Sequence, residues 1–197
     1  MRQHWMKLAM AAMSVLAGAP SYGQSAESAA TRVPLVFSEG HETDPRDHGR
    51  PVSLVAGALG VSDDVFREAF SHVRPAKPGS GGPTREQARE NKAALMKALG
   101  KYGVGNDRLD EVSNYYRYVR SRGEMWPTKE AAGYAEVVGG KVTGFVITRG
   151  GSGYSSPPVV TVKDMPEVKA EAKLAFGKDF ESNGSVSAVR LNSSDGK

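Results

Sequence analysis

Residues 40–51, GHETDPRDHGRP, carry the densest set of reactive side chains in the chain: His41, Glu42, Asp44, Asp47 and His48 fall within eight residues. Imidazole nitrogens and carboxylate oxygens this close together could hold a zinc, manganese or calcium ion if the loop wraps around it. His41, Asp44, Asp47 and His48 are the candidate ligand set for such a divalent ion. A bound metal with an open position would activate water, which gives a metal-dependent hydrolase as one reading. The same residues also have a purely structural use. Asp44 ahead of Pro45 suits a turn, Asp47 or His48 can cap a helix opening at Pro51, and Arg46 and Arg50 can pair with the carboxylates. The spacing matches neither HExxH nor an EF-hand, so the structural use is favoured and no cofactor is expected.

Asp107, Asp110, Glu111 and Asn114 form a second polar group at helical spacing, beside Tyr115, Tyr116 and Tyr118. Paired carboxylates do acid–base work only where their surroundings separate their pKa values. At the start of a helix, acids serve the macrodipole instead. Tyr115, Tyr118 and Trp126 are the candidate ligand surface, because aromatic faces bury apolar area on sugars or peptides while keeping a polar edge bonded; Tyr116 is assigned to the core. Gly151 and Gly153 with Ser156 lack the third glycine and following helix of a phosphate loop. No GxSxG elbow is present, and Ser80 and Ser152 have no indicated base. Nothing assigns a catalytic residue, and the balance leans against an enzyme.

Elements that would position these groups follow from periodicity. Residues 34–37 suit a short strand. Pro51 opens a helix with Leu54, Val55, Ala58 and Leu59 on one side and Gly60 as its left-handed stop. Ser62 caps a second helix carrying Val65, Phe66, Ala69, Phe70 and Val73. Residues 75–83 read as a linker. Thr84 and Gln87 make a capping box for a third helix that Gly100 ends, and Asn106 caps a fourth with Leu109, Val112, Tyr116 and Val119 inward. Past Trp126, β-branched alternation marks strands near 134–138, 142–148, 159–162, 170–176 and 186–191. The expected class is α+β, with an N-terminal helical domain at 33–127 followed by a small antiparallel β unit at 131–197.

The β part contains a repeat. Val142, Thr143, Phe145 and Ile147 return about 44 residues later as Val186, Ser187, Val189 and Leu191. The string VITRGGSGYSSPPVVTV resembles the GGxGYxxxPxVxI β-repeat of secreted bacterial surface proteins and phage tail or fibre proteins. The match runs through Gly150, Gly151, Gly153, Tyr154, Pro158, Val160 and Val162, and it implies an adhesive or architectural part. Residues 40–70 with NDRLDEVSNYYRY resemble an uncharacterised exported bacterial protein family, which implies export.

Composition agrees with export. Arg2 and Lys7 precede an apolar run at 8–17, and Ser21, Tyr22 and Gly23 make a small-x-small cleavage pattern, so 1–23 reads as a signal peptide. Residues 24–32 read as a flexible lead. The run is too short to span a bilayer, and no integral membrane segment is expected after cleavage. Cysteine is absent, which excludes disulfides and thiolate chemistry. A net charge of +4, with bases scattered among acids, gives no field for nucleic acid. Asn183 and Asn192 each open an N-x-Ser sequon. The expectation is a secreted or periplasmic, non-catalytic binding or envelope-associated protein whose partner is a protein or saccharide at the cell surface.

Overall fold

Alternating β-branched residues build six strands: β1 (Thr31–Ser38), β2 (Ala132–Val138), β3 (Lys141–Arg149), β4 (Val159–Val162), β5 (Met165–Ala175) and β6 (Ser185–Leu191). The computed structural model describes residues 30–74, 76 and 82–192. The expected signal peptide at 1–23, most of the expected lead at 24–32 and most of the linker at 75–83 lie outside the described residues. The strands form one antiparallel sheet in the order β3-β2-β1-β4-β5-β6.

The mixed helix-and-sheet class holds, but the expected order of helices first and strands after does not. β1 precedes every described helix and lies mid-sheet, so residue 33 belongs to a strand rather than opening a helical domain. Order also starts earlier than the expected lead allows: Thr31 and Arg32 already pair with Val137 and Glu136. Through Pro34, β1 pairs with β2; from Leu35 onward it pairs with β4. Proline cannot donate to a ladder, and here it stands where the strand changes partners.

The sequence repeat is a repeat of bulged hairpins. Glu136 faces Gly144 and Val137 faces Val142, leaving Thr143 as an extra residue in β3. Lys173 faces Ala188 and Leu174 faces Val186, leaving Ser187 as the extra residue in β6. Each extra hydroxyl donates back to the partner strand, Thr143 Oγ1 to Glu136 O at 3.1 Å and Ser187 Oγ to Lys173 O at 2.9 Å. A bulge increases local twist, so equivalent bulges curl both halves of the sheet alike. At the centre, Leu35 faces Val162 and Phe37 faces Val160, a pairing that maps onto itself when the halves are exchanged. The outer strands approach one another, and Val186 N donates to Gly150 O at 2.8 Å just past β3, so the sheet nearly closes into a barrel. Leu35, Ala135, Val160, Val162, Ala172 and Val186 fill its inside.

Between β1 and β2 the chain builds a layer of four helices among the described residues: α1 (Val52–Leu59), α2 (Asp63–Ser71), α3 (Arg85–Leu99) and α4 (Asn106–Tyr115). Gly60 closes α1 in the left-handed region, Ser62 Oγ accepts from Val65 N, and Thr84 Oγ1 accepts from Gln87 N, as their types require. α3 ends at Leu99 with Gly100 as its cap, as expected, and a 3-10 turn then leads to a left-handed Gly103. One end differs from expectation: Gly105 rather than Asn106 occupies the cap of α4. Leu54, Phe66, Ala69, Leu99, Leu109 and Val112 form a second core. Leu54 and Leu99 are wholly buried, and each contributes roughly 1.5–3 kcal/mol of apolar transfer.

The hairpins differ in their connections. Gly139 and Gly140 join β2 to β3 in a tight turn, whereas residues 176–184 join β5 to β6 and reach across to the helices. Asn183, wholly buried, is the centre of that reach. Its Nδ2 donates to Leu54 O and to the Tyr116 hydroxyl, each at 2.7 Å, and its Oδ1 accepts from Gly177 N at 3.0 Å. Burial pushes the Tyr116 hydroxyl up to about 12. Phe180 stacks on Tyr115 at 4.0 Å between ring centroids, and Arg108 donates to Ala58 O and Lys178 O.

Replacing Asn183 with leucine keeps the branched shape but takes the bond from two buried groups, Leu54 O and the Tyr116 hydroxyl, and from the half-buried Gly177 N. Asn183→Leu is expected to cost about 3 kcal/mol, and Tyr116→Phe, which removes one acceptor, about 1 kcal/mol. Urea unfolding midpoints test this order; an Asn183→Leu midpoint indistinguishable from that of the parent protein would contradict it.

Candidate functional site

The loop between β1 and α1 folds by local bonds. Asp44 caps a short 3-10 turn, Pro45–Asp47, by accepting from Arg46 N at 2.9 Å, and its carboxylate grips the Arg46 guanidinium at 2.6 and 3.1 Å. Arg46 holds the Asp44 carboxyl at about 2, well below the usual carboxylate range. Asp47 is 4% exposed and meets Arg67 of α2 in a two-point pair, both contacts 2.9 Å. That pairing pushes the Arg67 guanidinium up. Arg50 lies over the Phe70 ring at 4.0 Å and donates to Asp47 O. His48 ends the turn in the left-handed region, its side chain exposed.

The four candidate metal ligands therefore do not converge. Among the described residues no group of three or more His, Cys, Asp or Glu is placed to hold an ion. The physical reason is competition: Arg46 and Arg67 hold the two carboxylates. The second polar group is likewise divided into pairs, Asp110 with Lys92 at 2.6 Å and Glu111 with Arg108 at 2.6 Å.

What the fold does bring together is a groove of about 530 Å³ between this loop and the segment after α4. His41, His48, Tyr118, Arg120 and Trp126 line it, with Glu42, Glu124 and Met125 at its margins. His41 Nδ1 lies 3.2 Å from Gly153 O, and a carbonyl can only accept, so Nδ1 carries a proton and, in the neutral imidazole, Nε2 is left as an acceptor. The imidazole stacks on Tyr154 at 5.1 Å and meets the edge of Trp126 at 6.4 Å. Glu42 accepts from the Ser156 hydroxyl, which holds its carboxyl below the ordinary value, and Glu124 accepts from Val119 N at 2.8 Å.

The residues of the expected ligand surface are divided between the groove and the core: Tyr118 and Trp126 line the groove. Tyr115 does not join the groove, because its ring is stacked on Phe180. Trp126 is 4% exposed and gives its Nε1 proton to Gly153 O at 2.8 Å, so it is wall rather than platform. Tyr118 donates to Gly49 O and stands edge-on to Trp126 at 5.2 Å, leaving part of its ring open. Arg120, Met125 and Thr43 lie outside the expected set: Arg120 opens a short 3-10 turn and the other two sit in loops, with no periodic pattern to mark them.

Behind the groove lies the glycine-rich stretch. Gly153, at φ +83°, takes a backbone bond from its amide to Asn183 O at 2.9 Å while its carbonyl serves both His41 and Trp126. A Cβ there would come within 2.5 Å of Pro127 O. Tyr154 N bonds Gly184 O at 3.0 Å, its hydroxyl accepts from Ala131 N at 3.0 Å, and Pro157 and Pro158 lead into β4. Gly184, at φ +69°, would place a Cβ 2.4 Å from Leu54 Cδ2. The glycines serve turns and close approach. Of the two sequons, Asn183 is wholly buried with both side-chain ends bonded, so no glycan fits there in the folded chain, whereas Asn192 is exposed.

Comparison with family profiles, with curated proteins and with solved structures returns no match.

The folded protein keeps Asp44 ionised down to about 2, while the unfolded chain protonates it near 3.8. A lowered folded value gives stabilisation that is complete above the unfolded value and is lost as pH falls toward the folded one. Asp44→Asn should therefore flatten the fall in unfolding midpoint across that acid interval. Equal acid slopes in variant and parent would contradict the pairing.

Proposed function

We propose that this is an exported, non-catalytic binding protein of the cell envelope and that the groove at His41, Tyr118 and Arg120 receives its ligand. The observation that carries the reading is how the polar groups around the groove are used. Asp44, Asp47, Glu42 and Glu124 are occupied by guanidinium, hydroxyl or amide partners, which takes these four carboxylates out of the set of candidate bases and nucleophiles. Left facing the groove are donors and acceptors suited to recognition, namely Arg120, His48 and His41 Nε2, beside the Tyr118 ring and Met125. A space of about 530 Å³ is the size that takes a small ligand, and a broad protein interface would need a larger and flatter surface. Of a saccharide and a protein partner, the saccharide is favoured.

The β-repeat resemblance supports an architectural setting, because the GGSGY stretch holds the wall of the groove in place while adding no reactive group. A second reading, a metal-dependent hydrolase using the loop 41–48, rests on one observation: His41 and His48 share the groove.

Protein lacking residues 1–23 retains Trp126 as its one tryptophan, so fluorescence reports on the groove. Titration with soluble cell-wall oligosaccharides should change that emission saturably, and Arg120→Ala should weaken binding by about tenfold without altering the melting temperature. No emission change with any saccharide tried, or unaltered affinity in Arg120→Ala, would contradict the reading. For the hydrolase, chelator should leave the melting temperature unchanged; a large loss in chelator that disappears in His48→Ala would favour it instead.

A further inference from the structure

A second groove, of about 650 Å³, runs between α2 and α3. Its floor is made of small residues at helical spacing, Val65 and Ala69 on α2 and Ala94 and Ala98 on α3, and the half-exposed Tyr102 ring stands at one end. Short side chains four apart leave a trough where ordinary helices present a ridge. The two helices run antiparallel: Arg74, beyond the end of α2, bonds Asn91 and Gln87 in the first half of α3.

The walls carry opposite charge. Asp64 and Glu68 line the α2 side, and Lys97 and Lys101 line the α3 side. Asp64 reaches Arg67 at 3.4 Å and Glu68 reaches His72 at 3.5 Å, both weak contacts on their own helix. Among the described residues neither lysine makes an ion pair, and Lys101 Nζ lies 5.1 Å from the centre of the Tyr102 ring.

We propose that this face binds a second copy of the chain, the two helix pairs closing into a four-helix bundle about a two-fold axis parallel to the helices. That operator lays α2 of each copy along α3 of the other. Since α2 and α3 are antiparallel, Asp64 stands toward the Lys101 end of the groove and Glu68 toward Lys97. The operator therefore sets Asp64 against Lys101 and Glu68 against Lys97 of the other copy. A two-fold axis across the helices would set acid on acid and lysine on lysine, so charge selects one arrangement. The small residues and the two Tyr102 rings make the middle layer, and the face covers itself with no excess charge for a foreign partner to match. α2 and α3 are nine and fifteen residues, so the patch is at the lower end of specific interfaces, and the dimer dissociates on dilution.

Sedimentation equilibrium of the chain lacking residues 1–23, at low salt and over a wide concentration range, should show a reversible monomer–dimer equilibrium. Lys97→Glu with Lys101→Glu should raise the dissociation constant at least about tenfold, and so should Asp64→Lys with Glu68→Lys. The fourfold variant, with both walls exchanged, should restore dimerisation, which a merely misfolded variant would not do. A monomer at every concentration, reversals that leave the equilibrium unmoved, or a fourfold variant no better than either reversal would each overturn the proposal.

Discussion

The fold turns on a single amide side chain that leaves no polar end unused. Asn183 holds the β5–β6 connection closed through Gly177 and ties it to α1 through the Leu54 carbonyl and to the end of α4 through the Tyr116 hydroxyl. Two helices and a hairpin share one buried group. A buried amide left unbonded costs on the order of 1–3 kcal/mol per missing partner, so any packing that separated helices from sheet would have to absorb that penalty several times over. Directionality does what apolar burial cannot: the two cores alone would tolerate many relative placements, and the amide admits one.

The groove is a consequence of the same seam. Asn183 O fixes Gly153 N, Gly153 O then receives His41 and Trp126, and the Tyr154 ring stacks against His41. The imidazole that faces the groove is thus oriented by a chain of bonds that begins at the helix–sheet contact. Asp47 and Arg67 fix the other end of the loop to α2. Recognition surface and scaffold are continuous, which is how a loop with few apolar contacts can hold a defined shape.

Strands and helices were legible in the sequence because each depends on local patterning: the alternation of β2 to β6, the Ser62 and Thr84 caps and the Gly60 stop all appear where their residue types require. The repeat was legible too, down to Thr143 and Ser187, although only the structure reveals that both are bulge residues. What was not legible was long-range. β1 is a short apolar alternation ahead of a polar loop, and nothing nearby announces that it lies mid-sheet. The four metal candidates were visible as a cluster, but the arginine that claims Asp47 is twenty residues away. Asn183 gave no burial signal at all, since a polar residue before glycine ordinarily reads as an exposed turn, and Tyr115 and Trp126 gave no sign of their partners Phe180 and Gly153.

Native-state hydrogen exchange across a denaturant series tests most directly whether helices and sheet are one cooperative structure joined at this seam. The amides of Gly177 and Tyr154 should exchange with the same opening free energy as core amides of α4 and β2, all merging into global unfolding. Helical amides that exchange through an opening which leaves β2 and β5 protected would show two separately stable parts and contradict the account.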